Sequence, residues 1–381
     1  MIQPTTPLPR VLVVAEYGWR NGGENSWLCV AEKLHNTSVS FIVACPAATE
    51  FANYLGGLGI PTIDLQFYRS DGEQLVRKSQ DEIREHIGEI IKFAEPDLVH
   101  ANSLASSRLV GPVTQELAIP SIGYLRDIIK ISKTAIRDIN CLDQVIAVSN
   151  ATLQFHREHG LGSDKSAFIH NGVDLDRFCP KAGGTEFQNE LGLDPATRLL
   201  LCIGQVGLRK GTDAVIKAFG ELRERHPDLA LLIVGQRHSV KDEAVEFESH
   251  CRELGESVGN VFWLGRRSDI PGLMNAAHLL LHAARQEPLG RVLLESLACG
   301  LPMVATDVGG TKEIVSEDLW SSVLVEPDSV HQMVAKAGQI LSDDSLHSKL
   351  SSCFRQIAIR QFDIGRCAQA LDGVYKKLLA R

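Results

Sequence analysis

Apolar and polar positions alternate along this chain in two rhythms that keep replacing one another. Short apolar runs at 10–15, 39–45, 62–67, 98–101, 121–124, 144–148 and 167–170 predict strands. Between them apolar residues recur at helical spacing, most clearly over 79–94 and 104–117, and a Gly22-Gly23 loop leads into a helix around 26–34. A second series of runs follows at 198–204, 229–235, 261–264, 278–282, 302–306 and 322–325. Strands separated by helices predict parallel sheets built from βαβ units, so the fold class is α/β. At 381 residues the chain exceeds one ordinary core, which suggests two such domains. The segment 174–191 is rich in Pro, Gly and charge and is the best linker candidate. The expected division is 1–180 and 181–362, with no visible sequence repeat between the halves.

Composition narrows the functional classes. A hydrophobic content of 44% with 23% charged residues is that of a soluble globular protein. The net charge of −8 argues against general nucleic-acid binding, which needs a concentrated basic surface. Nine cysteines lie scattered, with no C-x-x-C pair, and read as thiols in a reducing compartment. No apolar stretch approaches ~18 residues and no leader pattern opens the chain, so the expectation is a cytoplasmic protein.

The most informative stretch is 281–310. An apolar run ends in Ala283 and Ala284, a turn Glu287-Pro288-Leu289-Gly290 follows, and an amphipathic helix then runs to Gly300. Open α/β sheets bind ligands at the carboxyl ends of their strands, where helix N-termini aim unpaired N–H groups at anions. The amides around Leu289, Gly290 and Arg291 suit phosphate, while the carboxylates of Glu287 and Glu295 suit hydroxyls. Phosphate and polyol together describe a nucleotide sugar. The bland alternative is that Glu287 merely complements a helix dipole and Glu295 is solvated.

Glu287 and Glu295, eight apart, resemble the E-x7-E motif of the retaining GT-B glycosyltransferases, the family 4-like group 1 enzymes. The resemblance continues in order along nearly the whole chain. It implies a GT-B fold, two Rossmann-like parallel-sheet domains facing across a cleft, with a final helix at 363–381 returning to the first domain. It also implies that Glu287 contacts the donor sugar and Glu295 the nucleotide ribose. In Gly204-Gln205-Val206-Gly207-Leu208-Arg209-Lys210-Gly211, Lys210 occupies the position of the family's diphosphate lysine, while Gln205 stands where an arginine is usual. Arg209 is then the residue to restore the missing cation. Cations at a helix start oppose its dipole, which itself favours a bound anion there. Gly265 and Arg266 end a strand where relatives set backbone against the base, and Gly309-Gly310 with Glu313 resembles a G-G-x-x-E element that opens a helix. Asn171-Gly172-Val173-Asp174, with Phe178 and Pro180, resembles the family's junction signature. Asn-Gly there breaks the strand and permits positive φ, and Phe178 is an apolar plug.

In the first half, the loop 17–24 with Gly22 and Gly23 resembles the family's glycine-rich ligand loop, and Trp19 within it either stacks on a sugar or packs on its own domain. His100 ends a strand, where it is either a ligand contact or a core residue. Arg126 stands where many relatives place a histidine near the reacting carbon. An arginine cannot act as a base, but in retaining transfer the leaving phosphate itself can take the acceptor's proton. Arg126 then either binds an anionic group of the acceptor or pairs with Asp127. Residues 128–139 carry an apolar helical face with Lys130, Lys133 and Arg137 elsewhere. That pattern fits an ordinary surface helix or a peripheral contact with the inner membrane face.

The expectation is a metal-independent transfer of a sugar from a nucleotide diphosphate sugar to a hydroxyl acceptor that is lipid-linked, a polysaccharide or a small metabolite. Arg209, Lys210 and Glu287 would be the catalytic set. No bound cofactor is expected, since no His/Asp/Glu cluster has metal-ligand spacing. The competitors are a GT-B epimerase or phosphorylase, and a binding protein that lost turnover. A nicotinamide dehydrogenase is disfavoured because 16–23 lacks G-x-G-x-x-G.

Overall fold

The computed structural model describes residues 7–71 and 74–380 and separates into two compact units, Met1–Gly172 with Ile364–Arg381, and Val173–Asp363. In unit 1, strands β1 (Arg10–Val14), β2 (Ser40–Cys45) and β3 (Thr62–Asp64) are followed by an antiparallel hairpin, β4 (Tyr68–Asp71) and β5 (Gln74–Arg77). Strands β6 (Leu98–Ala101), β7 (Ser121–Leu125), β8 (Gln144–Ala147) and β9 (Ser166–Phe168) complete a parallel sheet of order β3-β2-β1-β6-β7-β8-β9. Unit 2 holds β10 (Arg198–Ile203), β11 (Leu229–Val234), β12 (Val261–Gly265), β13 (Leu279–His282), β14 (Met303–Thr306) and β15 (Leu324–Val325) in the parallel order β12-β11-β10-β13-β14-β15.

Both sheets are covered by helices on two faces, which is why their central strands are continuous apolar runs. Val11 to Val14 and Leu229 to Val234 are buried throughout, each valine, leucine or isoleucine among them contributing about 1.5–3 kcal/mol of burial. In each sheet the strand order reverses beside the first strand, between β1 and β6 and between β10 and β13. Those reversals open the crevices where ligands of such sheets sit.

Several local expectations change. The run 62–67 pairs only as far as Asp64, because the chain then turns into the β4–β5 hairpin. Gly22 and Gly23 belong to the first turn of helix Gly22–Leu34, which begins early because Asn21 caps it: the Asn21 amide donates to the Glu24 carboxylate at 3.2 Å. The amphipathic helix expected over 128–139 starts only at Lys133, where Ser132 accepts from the Ala135 amide at 3.2 Å as N-cap. It is seven residues long, and Ala135, Ile136 and Ile139 are buried within unit 1. Ser322 and Val323 end helix Glu317–Val323 rather than start a strand. Gly172 does not have positive φ; it is small because a Cβ there would meet Ile364 Cα at 2.6 Å. Phe178 is buried within unit 2, its carbonyl accepting from Arg355 at 3.0 Å. The nine cysteines are free thiols, and no described helix is long and apolar enough to cross a membrane.

Candidate active site

Two loops meet at the β10/β13 reversal. The chain after β10 passes Gly204 and makes a 3-10 turn, Leu208–Lys210, before helix Thr212–Arg225. The chain after β13 runs from Ala283 to Gly290 and enters helix Arg291–Cys299. The Arg285 amide donates to the Arg209 carbonyl at 2.8 Å, and Arg209 Nη1 donates to the Gln286 carbonyl at 3.3 Å. Arg285 adds Nη1 to the Leu208 carbonyl at 2.7 Å and a two-pronged pairing with Asp213, both contacts 3.0 Å. Gly211 has φ +65°, and a Cβ there would collide with the Ala283 carbonyl oxygen. A glycine is therefore required for the two loops to touch.

This bracing brings Lys210 to Glu287 across 77 residues of sequence. Lys210 Nζ donates to Glu287 Oε2, and His282 Nε2 reaches the same oxygen at 2.9 Å. Glu287 is only 5% exposed. Burial alone would push its carboxyl up, yet the Lys210 ammonium and the His282 hydrogen bond hold it well below the usual carboxylate range. Burial lowers the proton affinity of His282, so a neutral imidazole donates Nε2–H to the carboxylate. The Glu287 carbonyl accepts from the Gly310 amide at 3.0 Å, which ties the Gly309-Gly310 loop to the same place. The segment behind those glycines is a 3-10 turn, Thr311–Glu313, and not the α-helix start expected, with Asp307 paired to Lys312 at 2.6 Å.

Leu289 is buried, and Gly290, at φ +89°, packs within reach of Glu287 and Leu293. Arg291 opens the helix and its Nε donates to Glu295 Oε1 at 2.8 Å. The helix closes on the Gly290 carbonyl, which accepts from the Leu293 amide at 3.0 Å and the Leu294 amide at 3.2 Å. Farther along the sheet edge, Gly204, Gly235 and Gly265 end β10, β11 and β12, all with positive φ. The Gly235 amide donates to the Gly265 carbonyl at 2.7 Å, and a Cβ on Gly235 would collide with the Gly204 carbonyl oxygen. The result is a sill of bare backbone beside the cationic turn. Arg266, exposed, follows directly on it.

The corresponding end of the unit 1 sheet is built differently. Arg126, after β7, lies over the Tyr124 ring at 4.1 Å. It donates Nε to the Asn102 carbonyl and Nη2 to Asn102 Oδ1, both at 2.9 Å, and Nη1 to Asn171 Oδ1 at 3.2 Å. The charges of the Glu24 and Asp127 carboxylates act on the guanidinium as well. A Cβ on Gly23 would meet Arg126 Cδ at 3.0 Å, while Gly22 faces open space. His100 is fully buried, its Nδ1 2.6 Å from the Tyr375 hydroxyl of helix Ile364–Leu379 and its ring stacked on Tyr124. Burial, helped by the Arg126 charge, lowers its pKa to about 3. Its contacts are those of a core residue. Trp19 is 48% exposed with Tyr17 5.5 Å away.

His282, Arg285 and Asp213 were not among the residues the sequence singled out. His282 sits at the end of an apolar run, where a lone polar residue is a signal, whereas only the fold reveals what Arg285 and Asp213 brace.

Residues 184–356 match the family profile described as glycosyl transferases group 1, and residues 20–177 that of glycosyltransferase family 4. The chain is 30% identical over 247 residues to the lipopolysaccharide core biosynthesis mannosyltransferase LpsB of Rhizobium meliloti strain 1021, covering 63% of this chain and 67% of the relative. It is 38% identical over 149 residues to the lipopolysaccharide glucosyltransferase WaaG of Escherichia coli K12, 39% of this chain and 38% of that one. Among solved structures, Anabaena HepE in complex with UDP-glucose matches with a TM-score of 0.84 at 21% identity, over 97% of this chain and 99% of that one. These likenesses and the two parallel-sheet units show that the chain belongs to the group 1, family 4-like glycosyltransferases and has their GT-B fold.

Proposed function

We propose that this glycosyltransferase moves a hexose, with retention of anomeric configuration, from a nucleotide diphosphate sugar to a hydroxyl acceptor. The observation that carries the reading is the meeting of Lys210 with Glu287 at the β10/β13 reversal. A cation and a buried acid side by side match the two halves of such a donor. Lys210 and Arg209 stabilise the charge that develops on the diphosphate as the sugar–phosphate bond breaks. The amides at Leu289, Gly290 and Arg291 hold phosphate oxygens. Glu287 accepts from hydroxyls of the transferred sugar, and Glu295 from the ribose, with Arg291 fixing its rotamer. The sill of Gly204, Gly235 and Gly265, with Arg266, receives the base.

Retention is what the resemblance of Glu287 and Glu295 to the family's E-x7-E motif implies, and the leaving phosphate takes the acceptor's proton. A uridine donor is the first to try, because the HepE neighbour holds UDP-glucose. A glycolipid acceptor of lipopolysaccharide type is the first to try on the other side, from the names of LpsB and WaaG. Gly22, Gly23 and Arg126 are assigned to the acceptor, and His100 supports them from beneath through Tyr124. Proton NMR of a reaction with UDP-glucose and other nucleotide diphosphate hexoses tests this. The expected product keeps the donor's anomeric coupling. Inversion, epimerised donor without transfer, or dependence on inorganic phosphate would each replace the reading.

A further inference from the structure

We propose that His282 is a positioning residue of this glycosyltransferase, holding the Glu287 carboxylate in place when Lys210 turns from it to the donor diphosphate. The inference rests on the donor reading of this site and adds a residue to it. Both hydrogen bonds to the Glu287 carboxylate fall on Oε2, from Lys210 Nζ and His282 Nε2. Among the described residues Oε1 has no protein partner, which leaves that oxygen for a sugar hydroxyl.

The two partners differ in what they can give up. Lys210 is a mobile ammonium on a four-carbon stem, in a turn facing the place assigned to the diphosphate. Any weight it transfers to phosphate is withdrawn from the carboxylate. A buried carboxylate left alone takes up a proton or turns toward water. His282 is the last residue of β13, paired in register with Ala305 and 3% exposed, so its ring is fixed by the sheet. Its single N–H is neutral and does not compete for phosphate. The charged or titratable groups bearing on the pair are Lys210 and Arg209 from the neighbouring turn, both of which disfavour a protonated His282. Throughout the donor's stay, then, Glu287 keeps one donor that cannot leave.

The decisive experiment needs no ligand, because Lys210→Ala imitates departure of the ammonium. Full-length chain labelled with glutamate carrying carbon-13 at the side-chain carboxyl is titrated by NMR, the Glu287 resonance being identified by its loss in Glu287→Gln. In the Lys210→Ala background, His282→Leu should raise the Glu287 midpoint by at least one pH unit, a tenfold change in proton affinity, and His282→Gln should restore most of it. Gln can present an N–H near the Nε2 position while Leu only fills the space, so a role confined to packing would not be rescued this way. An unchanged midpoint in Lys210→Ala/His282→Leu overturns the proposal. UDP release from UDP-glucose separates the two levels. If Glu287→Gln stops release and His282→Leu does not, the role of His282 falls and the donor reading stands; if Glu287→Gln itself releases UDP normally, the donor reading falls.

Discussion

The two sheets reverse strand order in the same way, yet the cations at the two reversals donate to different kinds of acceptor. In unit 2, Lys210 and Arg285 each meet a carboxylate, Glu287 and Asp213. In unit 1, Arg126 donates to the neutral oxygens of Asn102 and Asn171 and lies over the Tyr124 face, with the Glu24 and Asp127 charges acting on it as well. A cation that donates directly to a carboxylate has a partner to exchange when an anion arrives, whereas one that donates to several amide oxygens is fixed in orientation by them. The topology supplies a crevice in both places, and the residue types decide what each does with it.

The sharpest way to break this contrast is to remove the exchangeable charge. Lys210→Ala and Glu295→Ala should each lower turnover of the nucleotide diphosphate sugar at least ~100-fold, about 2.7 kcal/mol of barrier. Arg126→Met, by contrast, should act mainly on the KM for acceptor while leaving donor hydrolysis within a few fold. Steady-state rates with donor alone and with acceptor distinguish the two. Full activity in Lys210→Ala would mean the unit 2 crevice is not where the sugar–phosphate bond breaks.

Much of this contrast was legible before any coordinates. The strand rhythm placed nearly every sheet strand within two residues, because buried parallel strands are short continuous apolar runs. Glu287, Glu295 and Lys210 could be read because each sits at a fixed distance from a strand end or a helix start. Partners chosen by tertiary structure were not legible. Nothing local says that Arg285 will brace Asp213, 72 residues away, or that Arg126 will donate to two asparagines. Propensity also loses to caps: Ser132 delays a helix whose apolar periodicity begins four residues earlier, and Asn21 pulls two glycines into one.

Acid should separate the regions next. His100 has its pKa lowered to about 3 in the folded chain, against roughly 6.5 when unfolded. The unfolded state therefore binds the extra proton first, and unit 1 loses stability as pH falls from about 6.5 toward 3. Glu287 is depressed, so its contribution is complete above an unfolded value of roughly 4.3 and is lost only below that. Urea midpoints measured against pH should show His100→Gln flattening the upper window and Glu287→Gln only the lower one. For His100 the full shift corresponds to roughly 5 kcal/mol at most. A His100→Gln curve parallel to wild type would show that His100 is not the group that sensitises unit 1.

Glycines in the two ligand loops should then answer in opposite directions. Gly211→Ala forces a side chain into positive φ and against Ala283, costing at least about 1 kcal/mol and lowering Tm by some 2–4 °C for each kcal/mol. Gly22→Ala meets open space in a helix turn and should stabilise by a few tenths of a kcal/mol, up to ~1. Thermal melts of the two variants settle the sign. Two losses of equal size would mean that the Gly22 turn is as tightly built as the other.

The smallest expected effect is none at all, and it bears on the same comparison. If Lys210 and Arg209 supply the positive charge that the leaving diphosphate requires, a divalent ion has no separate part in bond breaking. Turnover should then be unchanged, within about twofold, after exhaustive treatment with EDTA and on titration of magnesium or manganese. The control is Lys210→Ala in parallel, where removing the ammonium leaves room for an ion to act. Magnesium that partly rescues Lys210→Ala while leaving wild type indifferent would show one role filled by either charge. Loss of wild-type activity in EDTA, recovered by a divalent ion alone, would mean that the cationic turn binds the donor but does not carry the charge through the transition state.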